Sequence, residues 1–157
     1  MAFLQWLETT AIADAVRTIP WLYPALESAH YIGIACLVGG IMLIDLRLLG
    51  VAKKLPIATM VTLLPWVWAG FLINLVTGGT IFIYGATGFG TSPAFQLKMA
   101  LIALAGINAF LFEIAARRGR NTWVIDGQAP AMVKGVATLS LILWMSVVAT
   151  GRWMAYV

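Results

Sequence analysis

The chain contains one histidine, His30, which follows Glu27 by three residues inside a long apolar stretch. Residues three apart share a face of an α-helix, so the two side chains are expected to point the same way. Ionisable groups within a membrane span are costly, and they usually face a bundle interior, a partner or a ligand. An imidazole there most often ligates haem iron or a transition metal, or relays protons. Glu27 and His30 are therefore the first candidates for a functional site.

The composition places this pair in a membrane. Of the 157 residues 62% are hydrophobic and 10% are charged, whereas soluble domains carry about 25% charged residues. The stretch between Lys54 and Lys98 carries no charge and is too long for one span of ~20 residues. The predicted fold is therefore all-α, a four-transmembrane-helix bundle with an N-terminal amphipathic helix.

The apolar pattern predicts two regions. Residues 1–19 form an amphipathic helix in the membrane interface, because apolar residues recur there at helical spacing. Residues 20–157 form the transmembrane domain, with spans at about 22–46, 60–84, 94–116 and 132–151. The glycines between the second and third spans indicate a short turn. The first residues lack a signal-peptide pattern and are expected to remain in the mature chain.

The basic residues indicate orientation, not nucleic-acid binding, although the formal net charge is +4. Most of the ten Lys and Arg residues lie near the loops after the first and third spans, namely Arg47, Lys53, Lys54, Arg117, Arg118, Arg120 and Lys134. Basic loops stay in the cytoplasm, so both termini are predicted to lie outside. The single Cys36 excludes an intrachain disulfide.

This topology aligns several polar residues at one depth. At 1.5 Å per residue, Glu27 and His30 lie roughly 8 and 12 Å inside the first span. Lys98, near the start of the third span, and Arg152, at the end of the fourth, reach a similar level, as does Asn74 in the second span. The group has spare positive charge, which suits an anionic ligand.

Haem b fits these residues. His30 would be an axial ligand, Gly33 on its face would leave space for the flat macrocycle, and Lys98 and Arg152 would bind the propionates. Aromatic walls would come from Trp66, Trp68, Phe71 and Trp144. A single histidine excludes a bis-histidine haem within one chain, and a one-histidine site is more typical of ligand binding or catalysis than of fast electron transfer.

Two alternatives remain open. A copper site would use His30 and Glu27 as metal ligands. Its soft ligands would come from Met99, Met145 or Cys36. A cofactor-free structural or accessory subunit would instead use Glu27 to pair with Lys98 or Arg152, which would only lock the bundle.

Several motifs resemble a family of small bacterial four-helix membrane proteins of unknown function. They are Trp21-Leu-Tyr-Pro24-x-x-Glu27-x-x-His30, Asp45-Leu-Arg-Leu-Leu-Gly50, Pro65-Trp66-x-Trp68-Ala-Gly70, Pro93-x-Phe95-x-x-Lys98 and Gly151-Arg152-Trp153. More loosely, His30-x-x-Gly33 is similar to the haem-bearing helices of b-type membrane cytochromes and to helices of copper-resistance membrane proteins. Those proteins carry a second histidine, which this chain lacks.

The resulting prediction is a homo-oligomeric protein of the bacterial inner (cytoplasmic) membrane, in contact with the lipid bilayer and with both termini periplasmic. It would bind haem b through His30 and serve redox chemistry, electron transport or sensing near the outer face. Glu27 would orient the imidazole or handle protons. A membrane oxidoreductase activity, its substrate and its redox partner stay open.

Overall fold

The computed structural model describes residues 1–51, 53–56, 59–60, 62–126, 129–154 and 156, without the side chains of residues 115–126. Over these residues the chain is helical and contains no strand, which confirms the all-α class. The helices are α1 (Ala2–Leu7), α2 (Ala11–Thr18), α3 (Leu22–Leu48), α4 (Leu64–Tyr84), α5 (Ala86–Thr91), α6 (Pro93–Asp126) and α7 (Ala131–Trp153).

Four segments have the length and apolar composition of membrane spans. They are Leu22–Leu48, Leu64–Tyr84, Pro93–Ile114 and Ala131–Trp153. A helix satisfies all its backbone hydrogen bonds internally, which is what a hydrocarbon environment requires. The chain is therefore a multi-pass membrane protein.

Helix boundaries differ from the sequence prediction in two of the spans. α4 begins at Leu64, with Pro65 in its first turn. Backbone N–H groups in the first turn make no intrahelical hydrogen bond, so a proline, which lacks this group, is tolerated there. α6 continues to Asp126, beyond the end expected near residue 116. Hydropathy indicates where a helix leaves the apolar region, but the helix can continue beyond that point as long as its backbone hydrogen-bond pattern continues. The predicted turn between the second and third spans contains the short helix α5.

The N-terminal segment forms two short helices where one was predicted. The hydroxyls of Thr9 and Thr10 donate to the carbonyls of Trp6 and Leu7, both at 2.7 Å. Such local bonds compete with the helical ladder and end α1. The Thr10 hydroxyl also accepts from the amide of Ala13 and caps α2.

The spans form a bundle with α3 and α7 at its centre. α4 packs mainly on α3, and α6 packs mainly on α7. A core shared by the spans consists of Leu37, Val38, Ala105, Leu143, Trp144 and Val147. Consecutive spans run in opposite directions, so each end of the bundle collects one end of all four.

α3 and α4 come close to backbone contact at Gly70. A Cβ atom there would lie 2.6 Å from both the Gly33 carbonyl oxygen and the Leu37 amide nitrogen. Only glycine permits this approach, as is common for tightly packed membrane helices. The contact fixes which face of α4 meets α3.

We call the end of the bundle where α3 and α6 begin the His30 end, and the opposite end the Asp45 end. α1 and α2 pack over the His30 end. The Glu8 carboxylate accepts from the amide and hydroxyl of Thr87, at 2.8 and 2.6 Å. The Thr87 hydroxyl, then its amide, lowers the pKa of Glu8, and Arg17 adds a smaller effect. Glu8 thereby ties the N-terminal segment to α5.

Candidate functional site

His30 is held by a hydrogen bond to Thr77 across the α3–α4 interface. Its Nδ1 lies 2.9 Å from the Thr77 hydroxyl oxygen, which lies 2.7 Å from the carbonyl oxygen of Ile73. A hydroxyl has one proton. When this proton is donated to the Ile73 carbonyl, the hydroxyl oxygen accepts from Nδ1–H, and Nε2 of the neutral imidazole then keeps a free lone pair.

Gly78 on α4 also packs closely against the imidazole of His30. A Cβ atom at Gly78 would lie 3.1 Å from Cε1 of His30. That separation is tighter than ordinary van der Waals contact, so any larger residue would push the ring away from Thr77. The ring orientation is therefore set by a hydroxyl on one side and by the backbone of α4 on the other.

Lys98 on α6 lies near this group. It interacts electrostatically with His30. Its Nζ lies 3.5 Å from the position that a Cβ of Gly151 on α7 would occupy. Among the described side chains no carboxylate pairs with Lys98. One residue from each span thus lies at this end of the bundle, namely His30, Thr77, Lys98 and Gly151, and the lysine has no carboxylate partner among the described side chains.

Glu27 and Gly33 make contacts that differ from those expected. Glu27 interacts with Tyr23 one turn before it, and the bond that orients the imidazole comes from Thr77. The space expected beside Gly33 is filled, since a Cβ there would lie 2.8 Å from Oδ1 of Asn74. Gly33 therefore serves helix packing and provides no slot for a macrocycle.

Asn74 is held in the same interface. Its Oδ1 is buried and has no hydrogen-bond partner in the described part of the chain. Asn74 lies one turn before Thr77 on α4 and against Gly33 on α3, so the structure brings it to the group around His30.

Arg152 and Trp66 point elsewhere. The Arg152 guanidinium donates to the Tyr156 hydroxyl at 2.9 Å and covers the Tyr156 ring at 5.3 Å. Trp66 precedes Thr77 by three turns of α4, roughly 16 Å along the axis. It lines an apolar groove of about 450 Å³ in the other half of the bundle, between α3 and α4. Neither side chain belongs to the group around His30.

Sequence reasoning passed over Thr77 and Gly78 as site residues. A signal for them exists, because Gly70, Asn74, Thr77 and Gly78 recur at the spacing of one helix face. Small and polar residues on one face of an apolar helix mark the side that meets another helix.

Few metal-ligating side chains come together in the described part of the chain. Over the described residues no group of three or more His, Cys, Asp or Glu side chains comes together to hold a metal. What the site offers is one imidazole nitrogen, one hydroxyl that is already bonded, and one lysine. This donor set suits a ligand that brings most of its own coordination or carries negative charge.

The fold and this polar group define the protein as a four-span membrane protein with a polar cluster at one end of its bundle. It belongs to the family of unknown function DUF6644, which matches residues 3–157. The membership confirms the resemblance to a small four-helix family of unknown function. No curated protein and no solved structure matches the chain.

Proposed function

We propose that this protein is a membrane haem protein in which Nε2 of His30 is the axial ligand of the iron. The observation that carries the proposal is the bond between Nδ1 and Thr77. Histidines that bind metal almost always donate their other ring N–H to a neighbour, which fixes the tautomer and the ring direction. Thr77 supplies that neighbour here.

The donor set favours haem over a bare copper ion. A porphyrin supplies four nitrogen ligands itself, so one histidine is enough to hold it. A copper site needs several protein ligands, and Glu27 lies beside Tyr23 instead of completing one. Lys98, without a carboxylate partner, is suited to a haem propionate.

The fit also limits where the ligand can lie. Asn74 fills the space beside Gly33, so the macrocycle has no room between α3 and α4 at that level. His30 is half-buried, so the ligand would lie toward the surface of the bundle. A second copy of the chain, as expected from the sequence, would cover the other side of a ligand there. The basic loops would place this site on the periplasmic side.

Bound haem would supply one-electron redox chemistry or the binding of a small gas. This chain's own residues would hold the imidazole neutral and aligned through Thr77, and would balance the propionate charge through Lys98. A redox or sensing role at the outer face follows from that placement.

The test compares two threonines on one helix. Thr77→Val removes the acceptor of Nδ1–H, whereas Thr80→Val removes a hydroxyl that bonds only its own helix, to Val76. Loss of such a partner typically costs 10–100-fold in affinity, so we expect about that loss of haem affinity in Thr77→Val and none in Thr80→Val.

The readout is the oxidised and dithionite-reduced absorption spectrum of protein purified after expression with haem supplied, with iron analysis. A Soret band that His30→Ala abolishes supports the proposal. A colourless, iron-free wild type would refute it, and the bond between His30 and Thr77 would then serve bundle stability alone.

A further inference from the structure

A second buried polar group lies at the Asp45 end of the bundle. Asp45 follows His30 by roughly 22 Å along α3, at 1.5 Å per residue. Its side chain is 6% exposed and lies near Ser140 on α7. One carboxyl oxygen, Oδ2, is buried and has no hydrogen-bond partner among the described residues.

Polar side chains from the two neighbouring helices accompany it. Ser140 on α7 is 8% exposed and Asn108 on α6 is 5% exposed. Asn108 donates its Nδ2 to the carbonyl of Val136, one turn before Ser140, at 3.2 Å. Three spans thus each contribute a buried polar residue to this half of the bundle.

The surroundings of this group are apolar. They include Leu48, Ala129, Val133 and Ala137, which form a buried cluster with Ile44, Leu49 and Phe112 around it. Water therefore does not solvate the Asp45 carboxyl as it would at a surface, and the cost of a negative charge there must be met by a partner or by a proton.

The described charged side chains at the same end do not provide that partner. They are Arg47 on α3, Lys53 and Lys54 in the following loop, Glu113 on α6 and Lys134 on α7, whereas Arg117, Arg118 and Arg120 lie outside the described side chains. The Arg47 guanidinium donates to the backbone carbonyls of Leu55 and Lys53. Lys53, Lys54 and Lys134 are exposed. None of the described cations interacts electrostatically with Asp45.

We propose that Asp45 is a proton-binding site, at which the carboxylate takes up one proton on Oδ2 from the aqueous surface at the Asp45 end. One O–H bond forms at Oδ2, the negative charge is neutralised, and release reverses the step. Asp45 is one turn from the end of α3, so the surface is near. Hard metal cations need six or more oxygen ligands, more than this group supplies.

This inference does not depend on haem binding at His30. It places an exchangeable proton in the half of the bundle opposite His30, on the same central helix. A protein built in this way can respond to the proton concentration at one face of the membrane while its other polar group faces the opposite side.

The experiment is infrared spectroscopy of the full chain reconstituted in lipid, titrated with pH. We expect the carbonyl stretch of one protonated carboxylic acid per chain at neutral pH, shifted in deuterated water. Asp45→Asn should remove this band. Asp14→Asn is the matched control, because Asp14 is exposed on α2 and its loss should leave the band unchanged.

The outcomes separate the proposal from its competitors. Absence of any protonated-carboxyl band at neutral pH would overturn it. A band that disappears on adding sodium ions at constant pH would also overturn it and identify a cation site. Should Asp45→Asn not fold, labelling aspartate with ¹³C in the wild type assigns the band to an aspartate or excludes one.

Discussion

Replacing Gly70 by alanine is expected to force α3 and α4 apart. The added Cβ would lie 2.6 Å from the Gly33 carbonyl oxygen and the Leu37 amide nitrogen, and 2.9 Å from Cβ of Cys36. Backbone atoms cannot rotate out of the way as a long side chain can. Relief therefore requires movement of one whole helix relative to the other.

The destabilisation caused by this overlap can be measured separately by comparison with a second glycine on the same helix. Gly79→Ala adds a Cβ that meets nothing within 4 Å. Both variants gain the same helix propensity, up to about 1 kcal/mol, so this gain cancels when they are compared. The remaining difference is the overpacking at Gly70, which is expected to destabilise that variant by about 1–3 kcal/mol relative to Gly79→Ala.

The assay is reversible unfolding in mixed micelles with increasing SDS, followed by tryptophan fluorescence. Gly70→Ala should unfold at a lower SDS fraction than wild type, and Gly79→Ala at the same fraction or a higher one. Equal stability of the two variants would refute the close approach of α3 and α4. It would also argue against the hydrogen bond between His30 and Thr77, because Thr77 lies two turns further along the same face of α4.

Three further predictions concern the polar contacts. The bonds to Thr87 lower the pKa of Glu8, so the contribution of Glu8 to stability is present above the usual value of 4.5 and is lost as pH falls through the folded-state pKa. Amide hydrogen exchange of α5 should therefore become faster at such low pH. In Glu8→Gln the exchange of α5 should already be faster at neutral pH. Asn108→Leu should cost at most about 1 kcal/mol in SDS unfolding, as for other interhelical hydrogen bonds in membranes. Lys98→Gln should lower haem occupancy, measured by absorbance, more than Arg152→Gln, because the Arg152 guanidinium is already bonded to a tyrosine.

Much of the fold follows from composition and hydropathy. The uncharged stretch between Lys54 and Lys98 is too long for one span, and the four apolar segments appear as helices close to the expected positions. Spanning a bilayer requires both length and internal hydrogen bonding, and both are readable along the chain. That His30 and Lys98 lie toward the same end of the bundle could be predicted for the same reason, because this depends only on their positions along antiparallel spans.

Helix ends were less accessible to sequence reasoning. Hydropathy gave no sign that the third helix would extend to Asp126. The break between α1 and α2 depends on the hydroxyls of Thr9 and Thr10 bonding back to the preceding turn, which composition alone does not specify.

The direction in which each side chain points was decided by tertiary structure. The spans are apolar on nearly all sides, and lipid is as apolar as their own core, so periodicity does not show which face is turned inward. The close contact of Gly70 with Gly33 sets the rotation of α4 on α3. That rotation places Thr77 against His30 and Asn74 in the predicted macrocycle space. The sequence by itself determined the four spans and the positions of the polar residues along them, whereas helix packing chose their partners, because only packing distinguishes one apolar face from another.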